Sequence, residues 1–388
     1  MTKSSSMIAA ILSPLVLVAS CGSAASGDSG TTSSASFDGN FTIAEQGTFN
    51  EPWASAFVPG TQVLMITEKE GQIQGLNTET GEAITISGAP EVDYGGQGGL
   101  GDIAFLESEA SAELDGRTIF LSWAEAGAGD TRGAVVGKGT LACSAATTCA
   151  VEGLNVIWRQ GPKTSKRGHY SHRIIFSPDE QYMFVASGDR QELEPAQDTS
   201  NTLGTIVRLN LDGTPASGNP LAEEAGASDE IYSWGHRNIL GMAYDAEGRL
   251  WDVEHGPGGG DELNLVAEGA NYGWPTRSNG DHYNGDDIPD HTEDDGFAKP
   301  AIHWTPVIAP GDMIAYEGTM FGGMQGDFLI AGLQSQGLVR IAIDGDSASE
   351  VARYDMGNRI RSLTEGPDGA LWVLEDGPEG RLLKLTPG

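Results

Sequence analysis

Short runs of β-branched and aromatic residues recur along this chain, and clusters of Gly, Asp, Asn and Pro separate them. Such an alternation is typical of strands joined by turns. No window has the apolar spacing of a long amphipathic helix. The pattern therefore predicts an all-β fold, with strands over residues 63–67, 118–123, 182–186, 250–253, 328–331 and 371–374.

Three of these predicted strands follow a turn-forming tetrad, at residues 177–180, 245–248 and 366–369. Asp, Pro and Gly suit the backbone angles of such turns. A second short strand follows the predicted strands at residues 182–186 and 328–331; these second strands cover residues 204–209 and 337–341. A unit of strand, turn, strand and polar excursion repeats about six times, which favours the blades of a β-propeller. A pair of sandwiched sheets would also produce alternating strands and turns.

The charge of the chain changes the expected partners. Its 388 residues include 55 Asp and Glu but only 22 Lys and Arg, a formal net charge of −33. Such a surface repels phosphate backbones and anionic lipid headgroups, so we expect no nucleic-acid partner. Against this background, arginines grouped in motifs indicate a local anion site.

Residues 1–20 have the features of an export signal, because Lys3 precedes a short apolar run that ends in small residues. Residues 18–21 have the form of a bacterial lipobox, which predicts a lipid on Cys21 and a periplasmic or cell-envelope lipoprotein. The alternative is an ordinary signal peptide cleaved nearby, with Cys21 incidental. The Gly/Ser/Thr-rich residues 21–38 then form a flexible tether, and residues 39–388 form the folded domain.

The two remaining cysteines, Cys143 and Cys149, are separated by five residues. In an exported protein this spacing predicts a small disulfide-closed loop. A two-cysteine metal site is the alternative, although no further cysteine completes it.

Four segments carry the candidate chemistry, at residues 95–105, 167–179, 232–238 with 254–275, and 358–363. Together, and in this order, they resemble the soluble PQQ-dependent glucose and aldose sugar dehydrogenases over nearly all of the chain after the tether. The resemblance implies a six-bladed β-propeller and a sugar-oxidising quinoprotein. It also implies PQQ and Ca²⁺ as cofactors.

Sugar oxidation requires a base for the hydroxyl proton, a hydride acceptor and a cation that polarises this acceptor. The resemblance makes His169 the base, and an imidazole titrates near neutrality. The alternatives are that His169 and His172 are ordinary loop histidines or form a two-histidine metal site. Relatives usually have two glycines where this chain has Ser171 and His172, so we expect a narrower pocket.

PQQ carries three carboxylates, so its site should contain arginines. The resemblance assigns cofactor contacts to Gln97, Arg237, Asn238, Arg359 and Arg361. Arg359 and Arg361 lie two residues apart on a predicted strand and project the same way. Two such cations repel each other unless an anion joins them, which indicates a bound carboxylate, although surface salt bridges would serve equally.

One group expected from the resemblance is missing. Relatives commonly place a quinone-contacting lysine where this chain has Gln334. A glutamine can form hydrogen bonds but brings no charge, so we expect weaker PQQ binding.

Calcium prefers oxygen ligands, backbone carbonyls included. The resemblance places the carbonyls of Gly256 and Pro257 on the calcium that contacts PQQ, and Asp261, Glu262 and Tyr272 at a nearby structural calcium. The alternative is a tight turn with solvated acids. Residues 281–295 are also acidic but do not fit an EF-hand loop, so we interpret them as a mobile, solvated insertion near the site.

These features favour an enzyme that oxidises an aldose, or a related alcohol, to a lactone and passes two electrons to a periplasmic acceptor. Two alternatives remain open. A calcium-dependent propeller lactonase would need carboxylates around a metal but no arginine pair. A non-catalytic propeller would bind a glycan or a protein, since a fold by itself does not determine function.

Overall fold

The computed structural model describes residues 37–388, and almost all of its regular structure is strand. Within this range the only helical segments are two short 3₁₀ turns, Glu107–Glu109 and Glu194–Gln197. The predicted all-β fold is confirmed, and each predicted strand lies within an observed one, except that the strand predicted over residues 204–209 begins one residue too early. The export signal, Cys21 and nearly all of the tether lie outside the described residues. Among residues 37–388, no helix is long and apolar enough to cross a membrane.

The strands run in groups along the chain. The first strand, β1 (Phe41–Phe49), precedes the first group. The next two groups are β2 (Pro52–Phe57), β3 (Val63–Glu68), β4 (Gln72–Asn77) and β5 (Ala83–Ser87), then β6 (Leu100–Phe105), β7 (Arg117–Ala126), β8 (Arg132–Ala145) and β9 (Thr148–Arg159). The third group is β10 (Ser171–Phe176), β11 (Tyr182–Ser187), β12 (Thr205–Asn210) and β13 (Ile231–Trp234).

The fourth group is β14 (Ile239–Tyr244), β15 (Leu250–Glu254), β16 (Gly258–Gly259), β17 (Asp261–Leu265), β18 (Gly280–Asp281) and β19 (Ile302–Trp304). The fifth is β20 (Pro310–Ala315), β21 (Phe328–Gly332), β22 (Gly337–Asp344) and β23 (Ser347–Asp355). The last is β24 (Ile360–Glu365), β25 (Leu371–Glu375) and β26 (Gly380–Pro387).

The first, second, third and fifth groups each form an antiparallel meander of four strands; the fourth does so through β14, β15, β17 and β19, and the last through β24, β25 and β26 with β1. Parallel pairing of β5 with β9 joins the first two meanders into one eight-stranded sheet, and β16 pairs separately with β18. The last sheet takes its outer strand from the other end of the described chain, because β1 pairs with β26. This pairing joins the two ends of the folded domain.

The first strands of the six meanders form a closed ring. Strands β2, β6, β10, β14, β20 and β24 each contact the next in this order, and β24 returns to β2. Apolar side chains fill the spaces between neighbouring sheets; Trp251 and Phe328 meet there with ring centroids 5.9 Å apart.

Two cavities lie along the centre of this ring. One, of about 270 Å³, is lined by residues where the ring strands begin, and the other, of about 590 Å³, lies where they end. Arg173 separates them: its guanidinium lies 4.3 Å from the Trp53 ring and pairs with Asp102 at 3.1 Å and Asp312 at 3.2 Å. It also donates to the Leu240 carbonyl at 2.6 Å, so one buried side chain links strands from five meanders.

The predicted disulfide is confirmed. Cys143 and Cys149 are bonded across the end of the β8–β9 hairpin, where their positions are paired in register. A metal site at these two thiols is therefore excluded.

Candidate active site

The smaller cavity gathers residues that are far apart in sequence. Four of the predicted cofactor-binding residues, Gln97, Asn238, Arg359 and Arg361, line it together. They meet because the ring strands all begin at this end, and the loops that precede these strands surround the same space. Further lining residues are Glu51, Trp53, Lys69, Tyr170, Ser171, His172, Leu240, His255, Leu333 and Asp376.

His169 lies beside this cavity, just before β10. Its backbone N–H donates to Gln97 Oε1 at 2.6 Å, and its Nδ1 lies 2.6 Å from Asp189 Oδ1. The other oxygen of Asp189 accepts a hydrogen bond from Trp274 Nε1 at 2.7 Å. Asp189 is fully buried, so the imidazole is held at one nitrogen by a carboxylate that is itself fixed.

The protonation of this pair follows from its surroundings. Burial lowers the pKa of the His169 imidazole, and the hydrogen bond to Asp189 opposes this shift without cancelling it. Burial would raise the pKa of Asp189, but the hydrogen bond from His169 and nearby positive charge lower it overall. A neutral imidazole with its proton on Nδ1 therefore faces a carboxylate, which leaves the Nε2 lone pair available.

Sequence reasoning missed Asp189. It follows β11 directly, in a Ser-Gly-Asp-Arg run that has no unusual composition. Only the packing of the loop after β11 against the loop before β10 brings Asp189 to His169.

The backbone around His169 is strained. His169, Ser171 and His172 have φ values of 50°, 61° and 73°, in the left-handed region that favours glycine. Each such residue costs on the order of 1 kcal/mol or more, and strain of this kind clusters at functional sites. Ser171 and His172 also line the cavity, and the narrower pocket expected from them stays a prediction.

His172 packs among aromatic rings. Its ring stacks on Tyr170 at 5.2 Å and meets the edge of Trp53 at 5.6 Å. Burial lowers the pKa of His172 to about 3, and neither ring nitrogen has a hydrogen-bond partner within residues 37–388. His172 is therefore a neutral side chain in the floor of the cavity.

Arg237 and Asn238 are held by one buried carboxylate. Glu254 Oε2 accepts the backbone N–H groups of Arg237 at 2.6 Å and Asn238 at 3.3 Å. The Arg237 side chain donates to the His255 carbonyl at 3.0 Å and to the Tyr283 hydroxyl at 3.2 Å. Its Nε is buried without a partner in the described part of the chain, so this arginine retains donor capacity.

A single carboxylate of the protein joins the arginine pair. Arg359 Nε and Arg361 Nε both donate to Asp376, at 2.9 Å and 2.8 Å. The argument that two cations on one face need a bound anion is therefore wrong here, because Asp376 joins them. The Arg359 side chain is 48% exposed and keeps donors free for a ligand, whereas Arg361 is mostly buried.

Gln334 does not line the cavity. Gln334 is exposed to solvent, and the neighbouring Leu333 lines the cavity instead. A lysine does reach this space from another meander: Lys69, in the turn after β3, donates to the Gly96 carbonyl at 3.2 Å and lies 3.4 Å from Glu51. No sequence motif marks Lys69, which is why sequence reasoning missed it.

The loop with the predicted metal residues closes a third cavity, which is very small. Gly256, Glu262 and Tyr272 line it together with Glu254. Neither Gly256 nor Pro257 accepts a backbone hydrogen bond at its carbonyl within residues 37–388, so both oxygens are available as ligands. Burial first, and then the negative charge of Glu254, raise the pKa of the Glu262 carboxyl.

Two of the predicted metal residues use their side chains for hydrogen bonds within the protein. Asp261 accepts the N–H groups of Gly256 at 2.9 Å and Ala309 at 2.6 Å, and burial raises its pKa to about 6. The Tyr272 hydroxyl donates to the Leu265 carbonyl at 2.6 Å. Asp261 therefore holds the backbone of the loop in place. The backbone carbonyl of Tyr272 is the oxygen that this residue could still offer to a metal ion.

Hydrogen bonds to Asp295 link residues at the end of the acidic insertion. Asp295 is almost wholly buried at its side chain and accepts N–H groups from Thr292 at 2.9 Å and Phe297 at 3.0 Å. Tyr283 from the same segment contacts Arg237, which places the insertion beside the site.

This arrangement has clear counterparts among known proteins. The family described as Glucose / Sorbosone dehydrogenase matches residues 49–384. Aldose sugar dehydrogenase YliI of Escherichia coli (strain K12) is 35% identical over 347 residues, covering 88% of this chain and 91% of that protein. Quinoprotein glucose dehydrogenase B of Acinetobacter calcoaceticus is 28% identical over 58% of this chain and 50% of that protein.

Solved structures agree with these matches. The apo form of the soluble aldose sugar dehydrogenase of E. coli superposes with a TM-score of 0.83 at 34% identity, covering 90% of this chain and 100% of that one. The PQQ-bound form of aldose sugar dehydrogenase from Streptomyces coelicolor gives 0.71 at 25% identity, covering 90% and 99%.

Proposed function

The chain belongs to the glucose/sorbosone dehydrogenase family, and from that premise we propose that it oxidises an aldose to its lactone with PQQ and Ca²⁺. The observation that carries this proposal is the His169–Asp189 pair beside a cavity lined by Gln97, Asn238 and Arg359. A histidine suited to act as a base would then adjoin a space lined by hydrogen-bond donors and cations.

The donor set fits a flat quinone with three carboxylates. Arg359 has exposed donors, Arg237 has an unused buried Nε, and Lys69 adds a third cation at the cavity wall. Bound PQQ would supply the two-electron acceptor for the hydride. The arginines and Lys69 would hold its carboxylates, and Asn238 and Gln97 would orient it through hydrogen bonds.

His169 would remove the hydroxyl proton of the sugar. Its Nε2 carries the free lone pair, and the imidazolium that forms is stabilised by the Asp189 carboxylate on Nδ1. As the proton leaves, the hydrogen on the same carbon departs with its electron pair, and the carbon–oxygen single bond becomes the lactone carbonyl. Trp274 would keep Asp189 oriented during this step.

Calcium would occupy the loop after β15. The unpaired carbonyls of Gly256 and Pro257 support one calcium beside the quinone, and Glu262 with the Tyr272 carbonyl supports a second in the very small cavity. Hard oxygen donors of this kind suit Ca²⁺.

We interpret the six meanders as the blades of a six-bladed β-propeller. The closed ring of first strands and the pairing of β1 with β26 support this interpretation, with the eight-stranded sheet counted as two blades joined at β5 and β9. Export, a lipid on Cys21 and a periplasmic electron acceptor remain proposals from the sequence.

Titration of the calcium-loaded apoprotein with PQQ, followed by aldoses, tests the proposal through the quinone absorbance. We expect stoichiometric binding, then loss of the oxidised quinone spectrum when sugar is added, and weaker binding after chelation of calcium. Absence of PQQ binding, or lactone hydrolysis without PQQ, would overturn the proposal in favour of a lactonase or a glycan-binding protein.

Replacing Lys69 with glutamine is expected to weaken PQQ binding about tenfold, because one charge-assisted hydrogen bond is worth on the order of 1.5 kcal/mol. Quenching of tryptophan fluorescence during PQQ titration measures the Kd. Lys384→Gln is the matched control, since Lys384 pairs with Asp368 outside the cavity. An unchanged Kd for Lys69→Gln would remove Lys69 from the cofactor contacts.

A further inference from the structure

Four polar side chains face one another between β15 and β17, next to the small cavity. Asp252 and Glu254 lie two residues apart on β15 and share one face, as do Glu262 and Asn264 on β17. The register places Asp252 opposite Asn264 and Glu254 opposite Glu262. All four are buried, and like charges directly opposite each other destabilise a sheet.

Little within the protein neutralises these acids. In the described residues, no lysine or arginine side chain forms an ion pair with Asp252, Glu254 or Glu262; the one basic side chain near their oxygens is His236, 3.7 Å from Asp252 and 3.1 Å from Glu254. One oxygen of Glu254 is occupied by the N–H groups of Arg237 and Asn238. Asn264 Nδ2 donates to Asp252 Oδ1 at 3.3 Å and to Glu254 Oε1 at 3.2 Å, but an amide brings no charge. Buried carboxylates without a counter-charge are costly, so the cluster needs a cation or protons.

We propose that His236, Asp252 and Glu254 bind a divalent transition-metal ion such as Zn²⁺. His236 Nδ1 lies 3.1 Å from Glu254 Oε1 and 3.7 Å from Asp252 Oδ2, and all three ligand atoms lie within 4.8 Å of one another. Ligands at 2.0–2.2 Å from a tetrahedral zinc are roughly 3.4 Å apart, so these separations match neighbours around one ion.

A second observation points to the same ion. Asp252 Oδ2 is fully buried and has no hydrogen-bond partner in the described part of the chain, although it faces His236 Nδ1. At 3.7 Å the two atoms are too far apart for a hydrogen bond. Asn264 Oδ1, on the neighbouring strand, is also buried without a hydrogen-bond partner in the described residues. Two oxygens of the cluster therefore lack a donor.

The surroundings of His236 suit a metal ligand. Its Nε2 lies 2.9 Å from Ser233 Oγ, and the ring stacks on Tyr272 at 4.5 Å. Metal-bound histidines usually bond through the second ring nitrogen in this way, which fixes the ring and the tautomer.

This site is distinct from the calcium positions proposed above. Calcium takes oxygen ligands, whereas a nitrogen donor from imidazole selects zinc and its neighbours. The ion would also hold Glu254, whose other oxygen positions Arg237 and Asn238; this consequence rests on the proposed function, but binding of the metal does not.

The test uses the whole protein kept in millimolar Ca²⁺, without PQQ or sugar, so its result is independent of the dehydrogenase proposal. Protein stripped of transition metals is unfolded, refolded with Zn²⁺ or Co²⁺, and passed through gel filtration. We expect one bound Zn²⁺ per chain by elemental analysis, visible absorption bands with Co²⁺, and one imidazole in the zinc X-ray absorption spectrum.

Asp252→Asn is expected to lose the bound zinc and the cobalt bands while keeping its calcium. Asp346→Asn, at an exposed aspartate, is the matched control and should bind like the unmodified chain. Absence of retained zinc, equal retention by Asp252→Asn, or a spectrum without imidazole would each overturn the proposal. If Asp252→Asn does not fold, the spectrum of the unmodified protein still decides the result.

Discussion

Replacing His169 with alanine is expected to lower kcat for aldose oxidation by about 10²–10⁴-fold and to change PQQ affinity only slightly. The methyl group cannot accept the hydroxyl proton, whereas Arg359, Arg361 and Lys69 still line the cofactor space. Single-turnover reduction of the quinone, followed by its absorbance, separates this chemical step from cofactor binding.

Two further variants make this result specific. His169→Gln keeps a polar group beside Asp189 but has no basic nitrogen, so it should be as slow as the alanine variant. His303→Ala removes an exposed histidine and should leave the rate unchanged. Asp189 keeps the Gln191 N–H at 2.7 Å and the Trp274 N–H as donors, so we expect His169→Ala to fold. Quinone reduction at the normal rate in His169→Ala would show that another group is the base.

Asp189→Asn is expected to lower kcat by on the order of 10²–10⁴-fold, because the imidazole loses the charge that stabilises its protonated form. An amide can also present its NH₂ group to Nδ1, which would move the proton to Nε2 and remove the basic lone pair. Steady-state kinetics with saturating PQQ measure the change. The double variant with His169→Ala should be no slower than His169→Ala alone, since both residues act through the same proton.

The pH profile distinguishes this positioning role from a purely structural one. Burial holds the pKa of His169 below 6.5, so the acid limb of kcat/KM should lie below that pH in the unmodified enzyme. The hydrogen bond to Asp189 raises the pKa of His169, and its loss should therefore move the acid limb to still lower pH. A limb that stays in place, or moves to higher pH, would contradict the proposed pairing.

The sequence alone determined the strands and the loops that carry the site. Alternating apolar positions and turn tetrads depend on neighbours a few residues away, so the positions of β3, β11, β15, β21 and β25 could be predicted from local pattern. The disulfide followed for the same reason, because a short loop between two cysteines limits their partners. The residues around the smaller cavity were identified through motifs that each occupy a short segment.

Only the tertiary structure decided which of those residues meet, and with which partners. Asp189 reaches His169, Asp376 joins Arg359 to Arg361, and Lys69 lines the cavity while Gln334 faces solvent. The buried carboxylates of β15 and β17 likewise confront each other only through strand register. Each of these contacts joins segments from different strands or loops, and the energy of a buried charge depends on partners brought together by packing, which no local pattern encodes.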